Sequence, residues 1–278
     1  MQLSTIKFYK MSGSGNDFIL IDNRSSILDA DSLGPFVASV CRRKHSVGAD
    51  GMILIETSEQ ADFKWRFFNA DGGEVEMCGN GGRCAARLAY LIGIAGAGLT
   101  FETRAGIIQA EVTGERVKLE MPKPSPAEMD YPLDVGGEAL TVSSIVVGVP
   151  HVVTWVTDPE ATPVFELGRA IRYHERYAPA GTNANFVQQL DNGAFAIRTY
   201  ERGVEDETLA CGTGSVAAAL IAATKGMAAS PAELHTRGGE TLNIYFEKSE
   251  DGFQNVFLEG DARLIYEGTL SKEATEDN

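Results

Sequence analysis

Histidine and tryptophan are scarce in this chain of 278 residues, with four and two copies, and cysteine occurs only four times. Cys41, Cys78, Cys84 and Cys211 never stand at C-x-x-C spacing, so the pair that structural zinc sites use is missing and no metal is expected. The N-terminal MQLSTIKFYK lacks the apolar core of a secretory leader. The longest apolar run, LAYLIGIAGAGL at 88–99, is too short and too interrupted by glycine to cross a bilayer. Basic residues are the minority, 24 against 39 acidic, and the formal charge of −15 argues against phosphate backbones and anionic membrane surfaces as partners. With no export signal and no close cysteine pairs, the expectation is reduced thiols in the cytoplasm, with neither nucleic acid nor membrane as partner.

What is present is an ordinary globular composition, 44% hydrophobic with a mean hydropathy of −0.10, long enough for one large or two medium domains. It also contains an internal repeat. CGNGGRCAARLAYLIG at 78–93 and CGTGSVAAALIAATKG at 211–226 share seven of sixteen residues at an offset of 133: the cysteine, two early glycines, three alanines and the last glycine. The register continues, with Thr103-Arg104 and Gly106 opposite Thr236-Arg237 and Gly239. Two matches at one offset mark two related halves, each carrying one cysteine.

Alternating apolar and polar residues predict strands over 6–11, 17–22, 51–56, 63–68, 107–112 and 117–121 in the first half. The second half repeats the style over 143–148, 151–156, 184–189, 194–200, 241–247 and 255–260. Helices are predicted over 32–44 and after each paired cysteine. The stretch 122–136, PKPSPAEMDYPLDVG, carries four prolines and reads as the boundary between halves. The expected fold class is α+β: two pseudo-symmetric domains of mixed, mostly antiparallel sheet, each wrapped round a central apolar helix. The tail SKEATEDN is polar and acidic and reads as frayed.

Both post-cysteine helices are alanine-rich and apolar nearly all round, and both end at a glycine, Gly93 or Gly226, suited to a left-handed cap. Each cysteine therefore stands at a helix N-terminus, where unpaired N–H groups and the positive dipole end favour thiolate over thiol. The adjacent glycines allow the backbone to close round an anion such as a carboxylate. Cys41 and Cys84 read as small buried hydrophobes. The G-x-G-x-x-A match at 212–217 does not read as a dinucleotide fingerprint, because the polar stretch ERGVEDET separates it from the preceding strand. His151 taken alone reads as a satisfied strand-end histidine. The charges at 200–207 taken alone read as a solvated loop, but their place just before Cys211 makes Glu201 and Arg202 candidates for a pocket wall. Asn69 falls opposite Arg202 at the same offset. Two thiols, one for each face of a carbon, suit stereochemical inversion: one removes a proton and the other delivers one, while N–H donors hold the carboxylate that takes up the charge. No motif for pyridoxal, flavin or metal is evident, so no cofactor is expected.

The successive stretches KMSGSGNDFILID, VGADGMILIE, FNADGGEVEMCGNGGRC, GVPH, GTNANF and YERGVEDETLACGTGS make the chain resemble the diaminopimelate epimerase family over nearly its whole length. That resemblance implies a pyridoxal-independent two-cysteine epimerase converting LL-2,6-diaminopimelate to the meso form in lysine and peptidoglycan precursor synthesis. It implies two pseudo-symmetric α/β domains: residues 1–122, joined by a returning strand at 262–272, and residues 123–261. Carried over by position, Cys78 and Cys211 match the catalytic pair. Asn16, Asn69, Gly79, Asn80, Asn183, Glu201, Arg202, Gly212 and Thr213 match substrate contacts, and His151 and Glu201 match positions that tune the thiols. Gly51 stands where some members carry glutamine, and Val149 where some carry asparagine. The expected partner is a small-molecule amino acid, and a homodimer is an open expectation. Two other readings stay open: a racemase of another amino acid such as histidine, and a non-catalytic redox or ligand-binding protein in which the two thiols form a reversible disulfide.

Overall fold

The computed structural model describes residues 6–28, 33–250 and 252–275. The residues at either end on which the leader and tail expectations partly rest lie outside that description, as does Ser32. The chain divides into two compact units, residues 1–119 with 261–278, and residues 120–260.

The first unit runs β1 (Ile6–Gly13), β2 (Asn16–Asp22), α1 (Leu33–Cys41), β3 (Gly51–Glu56), β4 (Phe63–Asn69), β5 (Glu74–Val75), α2 (Gly79–Leu91), β6 (Gly98–Thr103), β7 (Gly106–Thr113) and β8 (Arg116–Glu120). β1 pairs antiparallel with β2, β2 parallel with β3, β3 antiparallel with β4, and β4 antiparallel with β5 and parallel with β6. Antiparallel pairings from β6 to β7 and from β7 to β8 complete the run. The strand Arg263–Leu270 returns to lie antiparallel beside β1.

The second unit runs β9 (Glu128–Val135), β10 (Glu138–Val147), β11 (Val149–Trp155), α3 (Val164–Arg172), β12 (Asn183–Gln189), β13 (Phe195–Glu201), β14 (Asp206–Thr208), α4 (Gly212–Thr224), β15 (Ala232–Thr236), β16 (Thr241–Ser249) and β17 (Gly252–Asp261). From β10 onward its pairings repeat those of β1 to β8 in order and in sense, with β11–β12 and β13–β15 as the parallel pairs. The repeat in the sequence is thus a repeat of topology, and the fold class is the α+β pair of pseudo-symmetric units expected.

The central strands of each unit are buried on both faces. In β2, Phe18 and Leu20 pack with Ala85, Ala86, Leu88 and Ala89 of α2, while Ile19 and Ile21 pack with Val37 and Val40 of α1. In β11, Val153 faces α4 and Val152 faces Val164 and Ile171 of α3. A strand enclosed on both sides reads as a continuous apolar run, which FILI at 18–21 is. Burying a side chain such as Trp65 or Phe101 contributes roughly 1.5–3 kcal/mol. α4 is enclosed from Gly214 to Ala223, and its alanines let the surrounding strands approach.

Several expectations shift. The first helix stops at Cys41, three residues before the expected end, and Lys44 takes a left-handed conformation with φ 69°. The proline-rich stretch is irregular only as far as Ala127, because its second part is β9, with Pro132 opposite Thr141 of β10. β9 pairs with β10 alone among the described strands, and an edge tolerates a residue without an N–H. The tail is not frayed up to Thr275: Lys272–Thr275 form a short 3₁₀ turn, Ala274 packs against the core around α1, and its carbonyl accepts from Ser46 Oγ at 2.8 Å. Helix α3 lies outside the segments expected to be helical.

Candidate active site

Cys78 and Cys211 are the N-cap residues of α2 and α4. Both are extended, with φ −145° and ψ 118° at Cys78 and φ −116° and ψ 107° at Cys211, and neither side chain makes a cap hydrogen bond. Their carbonyls accept the first intrahelical bonds, from Gly82 N at 2.8 Å and from Ser215 N at 2.9 Å. The N–H groups of the first turn therefore have no partner within either helix. Serine, threonine, aspartate or asparagine ordinarily fills this position to satisfy them; at α4 the N–H groups of Thr213 and Gly214 face the Cys211 sulfur instead. The far ends match too. Gly93 and Gly226, at φ 74° and 75°, follow the last turns, and Ile94 N and Met227 N reach back to Ala89 O and Ala222 O.

In the first unit, Asn16 and Asn80 join directly, Asn80 Nδ2 donating to Asn16 Oδ1 at 2.8 Å. Asn69 closes β4 with an exposed side chain that makes no hydrogen bond among the described residues. It pairs in register with Gly51. A β-carbon at Gly51 would stand 2.6 Å from Phe68 O and 2.7 Å from a Phe67 ring carbon, so this backbone admits only glycine at that position.

In the second unit, Cys211 is 7% exposed. Burial, and then the Glu201 carboxylate, push its thiol up to about 12, against the Thr213 hydroxyl and the N–H groups of Thr213 and Gly214. This corrects the expectation for Cys211 that the helix end prevails: its dehydrated sulfur is a thiol in this state. Glu201 has its own affinity for a proton raised by burial, opposed by Thr208 Oγ1 donating to it at 3.0 Å. Asn183 Oδ1 accepts the Arg202 backbone N–H at 2.8 Å, and its Nδ2 donates to Pro150 O at 3.2 Å. The Arg202 side chain donates to Ala180 O at 3.1 Å.

His151 is 1% exposed, and burial together with the Arg202 charge lowers its pKa to about 3, so the ring is neutral. Its Nε2 has no partner among the described residues, which removes the reading of a satisfied strand-end histidine. Its Nδ1 faces Asn185 Nδ2 at 3.4 Å. Asn185 is not among the residues that the sequence singles out. It donates to Val152 O at 2.8 Å and accepts from Thr199 Oγ1 at 2.9 Å. The alternation in GTNANF contained the signal, since Asn183 and Asn185 lie on the same face of β12.

Among the described residues, no group of three histidine, cysteine, aspartate or glutamate side chains could hold a metal, and no helix is long and apolar enough to cross a membrane. A family model described as diaminopimelate epimerase matches residues 8–126 and 143–265. Proteins named diaminopimelate epimerase from Aquifex aeolicus and Archaeoglobus fulgidus are 48% and 42% identical, covering 98% and 95% of this chain and 100% and 96% of their own. Among solved structures, a Bacillus anthracis phenazine biosynthesis protein of the PhzF family superposes with a TM-score of 0.75 at 18% identity, covering 97% of this chain and 99% of its own. A probable proline racemase from Agrobacterium radiobacter gives 0.69 at 14% identity, covering 98% and 96%. At such identities these two share the fold alone.

Proposed function

The chain belongs to the diaminopimelate epimerase family, and from that premise we propose that it converts LL-2,6-diaminopimelate to the meso form without a cofactor. The observation that carries the reading is one device built twice: an extended cysteine at a helix N-cap, ahead of a glycine and the N–H groups of the first helical turn. An α-proton is removable only when the resulting negative charge is stabilised, and N–H donors on the adjacent carboxylate supply that stabilisation. Inversion then needs an acid on the opposite face of the carbon. Cys211, holding its proton, suits the acid, and Cys78 takes the base in that direction; the reverse direction exchanges the roles.

Burial, and after it the Glu201 carboxylate, keep Cys211 protonated, and neutral His151 adds a dipole without adding a charge. Arg202 offers a charge-assisted contact to a substrate carboxylate. Asn16, Asn69, Asn80 and Asn183, with Gly79, Gly212 and Thr213 at the helix ends, supply the remaining polar contacts to a zwitterion. The reaction needs free thiols, and the cytoplasm keeps them so.

Incubating the reduced protein with LL-diaminopimelate should yield the meso product. A panel of other L-amino acids, proline and histidine included, should remain unconverted. Absence of meso product, or faster racemisation of another amino acid, would overturn the reading.

A further inference from the structure

A chain of four polar side chains runs past the first turn of α2, and its direction is fixed at both ends. The Asp50 carboxylate accepts from Asn16 Nδ2 at 2.9 Å, Asn16 Oδ1 accepts from Asn80 Nδ2 at 2.8 Å, and Asn80 Oδ1 accepts from Arg83 Nη2 at 2.8 Å. A carboxylate only accepts and a guanidinium only donates. Neither amide between them can turn round without setting oxygen against carboxylate or amino group against guanidinium. Both ends are anchored. Arg83, 0% exposed, also donates to Ser14 Oγ at 2.6 Å and to Asp261 O at 3.2 Å. Asp50 also accepts from Arg43 Nη2 at 2.9 Å and from Asp17 N at 3.2 Å.

We propose that Arg83 and Asp50 are positioning residues, which orient Asn16 and Asn80 so that each offers its remaining N–H to a carboxylate of the substrate. The inference rests on the diaminopimelate reading above. In the observed orientation each amide oxygen is turned toward a donor inside the chain. Each amide nitrogen keeps one N–H with no partner among the described residues. Two such N–H groups fit an acceptor with two oxygens; an ammonium group would need the amide oxygens instead. A charged side chain buried in this helix thereby has a reason to be there: a neutral side chain at position 83 would let the amides invert.

The test compares Asp50→Asn, Arg83→Gln and Arg83→Lys with the parent protein. The readouts are KM and kcat on LL-diaminopimelate, inhibition constants for meso-diaminopimelate and its two monoamides, and the melting temperature. Asp50→Asn removes the acceptor-only end at a half-exposed position, so the protein should melt as the parent does. It should raise KM about tenfold or more, with kcat changed less, as expected for a lost hydrogen bond to a charged group. At least one monoamide should lose about fivefold less affinity than the diacid, because a freed amide can present its oxygen to a carboxamide. Arg83→Gln should act in the same direction, and Arg83→Lys should retain part of the preference because lysine still only donates. If Arg83→Gln fails to fold, Asp50→Asn decides alone. An unchanged KM in Asp50→Asn, or equal weakening of diacid and both monoamides, would overturn the proposal. A parent protein that forms no meso product would instead overturn the functional reading.

Discussion

The side-chain oxygen of Asn185 lies 2.3 Å from the point where a β-carbon on Gly214 would stand. The same point is 3.2 Å from Cys211 Sγ. The first turn of α4 is therefore closed from β12, with no room for a methyl group beside the sulfur. Gly214→Ala must displace Asn185 from Thr199 and Val152, or move the helix start and the thiol with it. A displacement near 1 Å costs about a hundredfold in rate, so kcat should fall by roughly that factor. Overpacking should lower stability by about 1–3 kcal/mol. A variant with parental kcat would show that this turn tolerates a shift.

The charge on Glu201 is the second reason, after burial, that Cys211 holds its proton. Removing that charge lowers the thiol pKa, and a lower pKa raises the thiolate fraction at any fixed pH below it. Glu201→Gln should therefore speed alkylation of Cys211 by iodoacetamide at pH 8, while Cys41 and Cys84, whose thiols burial raises to about 12, stay unmodified in both proteins. Peptide mapping of the labelled sites at timed intervals checks this. Slower labelling at Cys211 in the variant would contradict the electrostatic account.

Arg202→Ala and Asn69→Ala should weaken substrate capture more than they disable the thiols. The Arg202 backbone N–H stays bonded to Asn183 whichever side chain it bears, and Asn69 is exposed at a strand end, so neither change should disturb the fold. Loss of a charge-assisted contact costs about 1.5–3 kcal/mol, which would appear as a KM raised roughly ten- to a hundredfold. Steady-state kinetics with unchanged KM and kcat would remove both residues from the site.

Gly168 brings α3 against Tyr200 so closely that a β-carbon there would fall 2.3 Å from Tyr200 Cβ. The obstacle is the root of a buried side chain, which cannot swing away. Gly168→Ala should destabilise by about 1–3 kcal/mol despite alanine's better helix propensity. A melting temperature at or above the parent's would show that α3 can slide on β13.

These contacts also show where the sequence was readable. Alanine runs framed by a cysteine and a glycine made α2 and α4 legible twice over, and strong alternation did the same for most strands. Helix α3 was hidden because it buries little beyond Val164, Gly168 and Ile171, carries glycine in its middle and follows the polar, proline-bearing stretch DPEATP. β5 and β14 are two and three residues long and exist through pairing with β4 and β13. Within the site, the cysteines and the early glycines were visible as a repeat. The placement of Arg83 was not, because its partners Ser14 and Asp261 stand 69 and 178 residues away. The requirement for glycine at position 51 was likewise invisible, arising from its register against Phe67 and Phe68.

Isotopes give the most direct test of how the two cysteines divide the chemistry. If Cys78 and Cys211 serve opposite faces of the α-carbon, the proton removed stays on one sulfur while the other supplies a different one. Thiol protons exchange with solvent between turnovers, so in D₂O the first product should carry deuterium at the inverted carbon. Substrate recovered early should stay largely unlabelled, because a proton returned to its own face within one binding event has not met solvent. A single base swinging across the carbon would instead carry much of the original proton into product. Replacing either cysteine by alanine should abolish inversion, since removing one member of a unit that acts together costs nearly as much as removing both. Protium-rich product at low conversion, or inversion persisting in Cys78→Ala or Cys211→Ala, would leave the two-base mechanism without support.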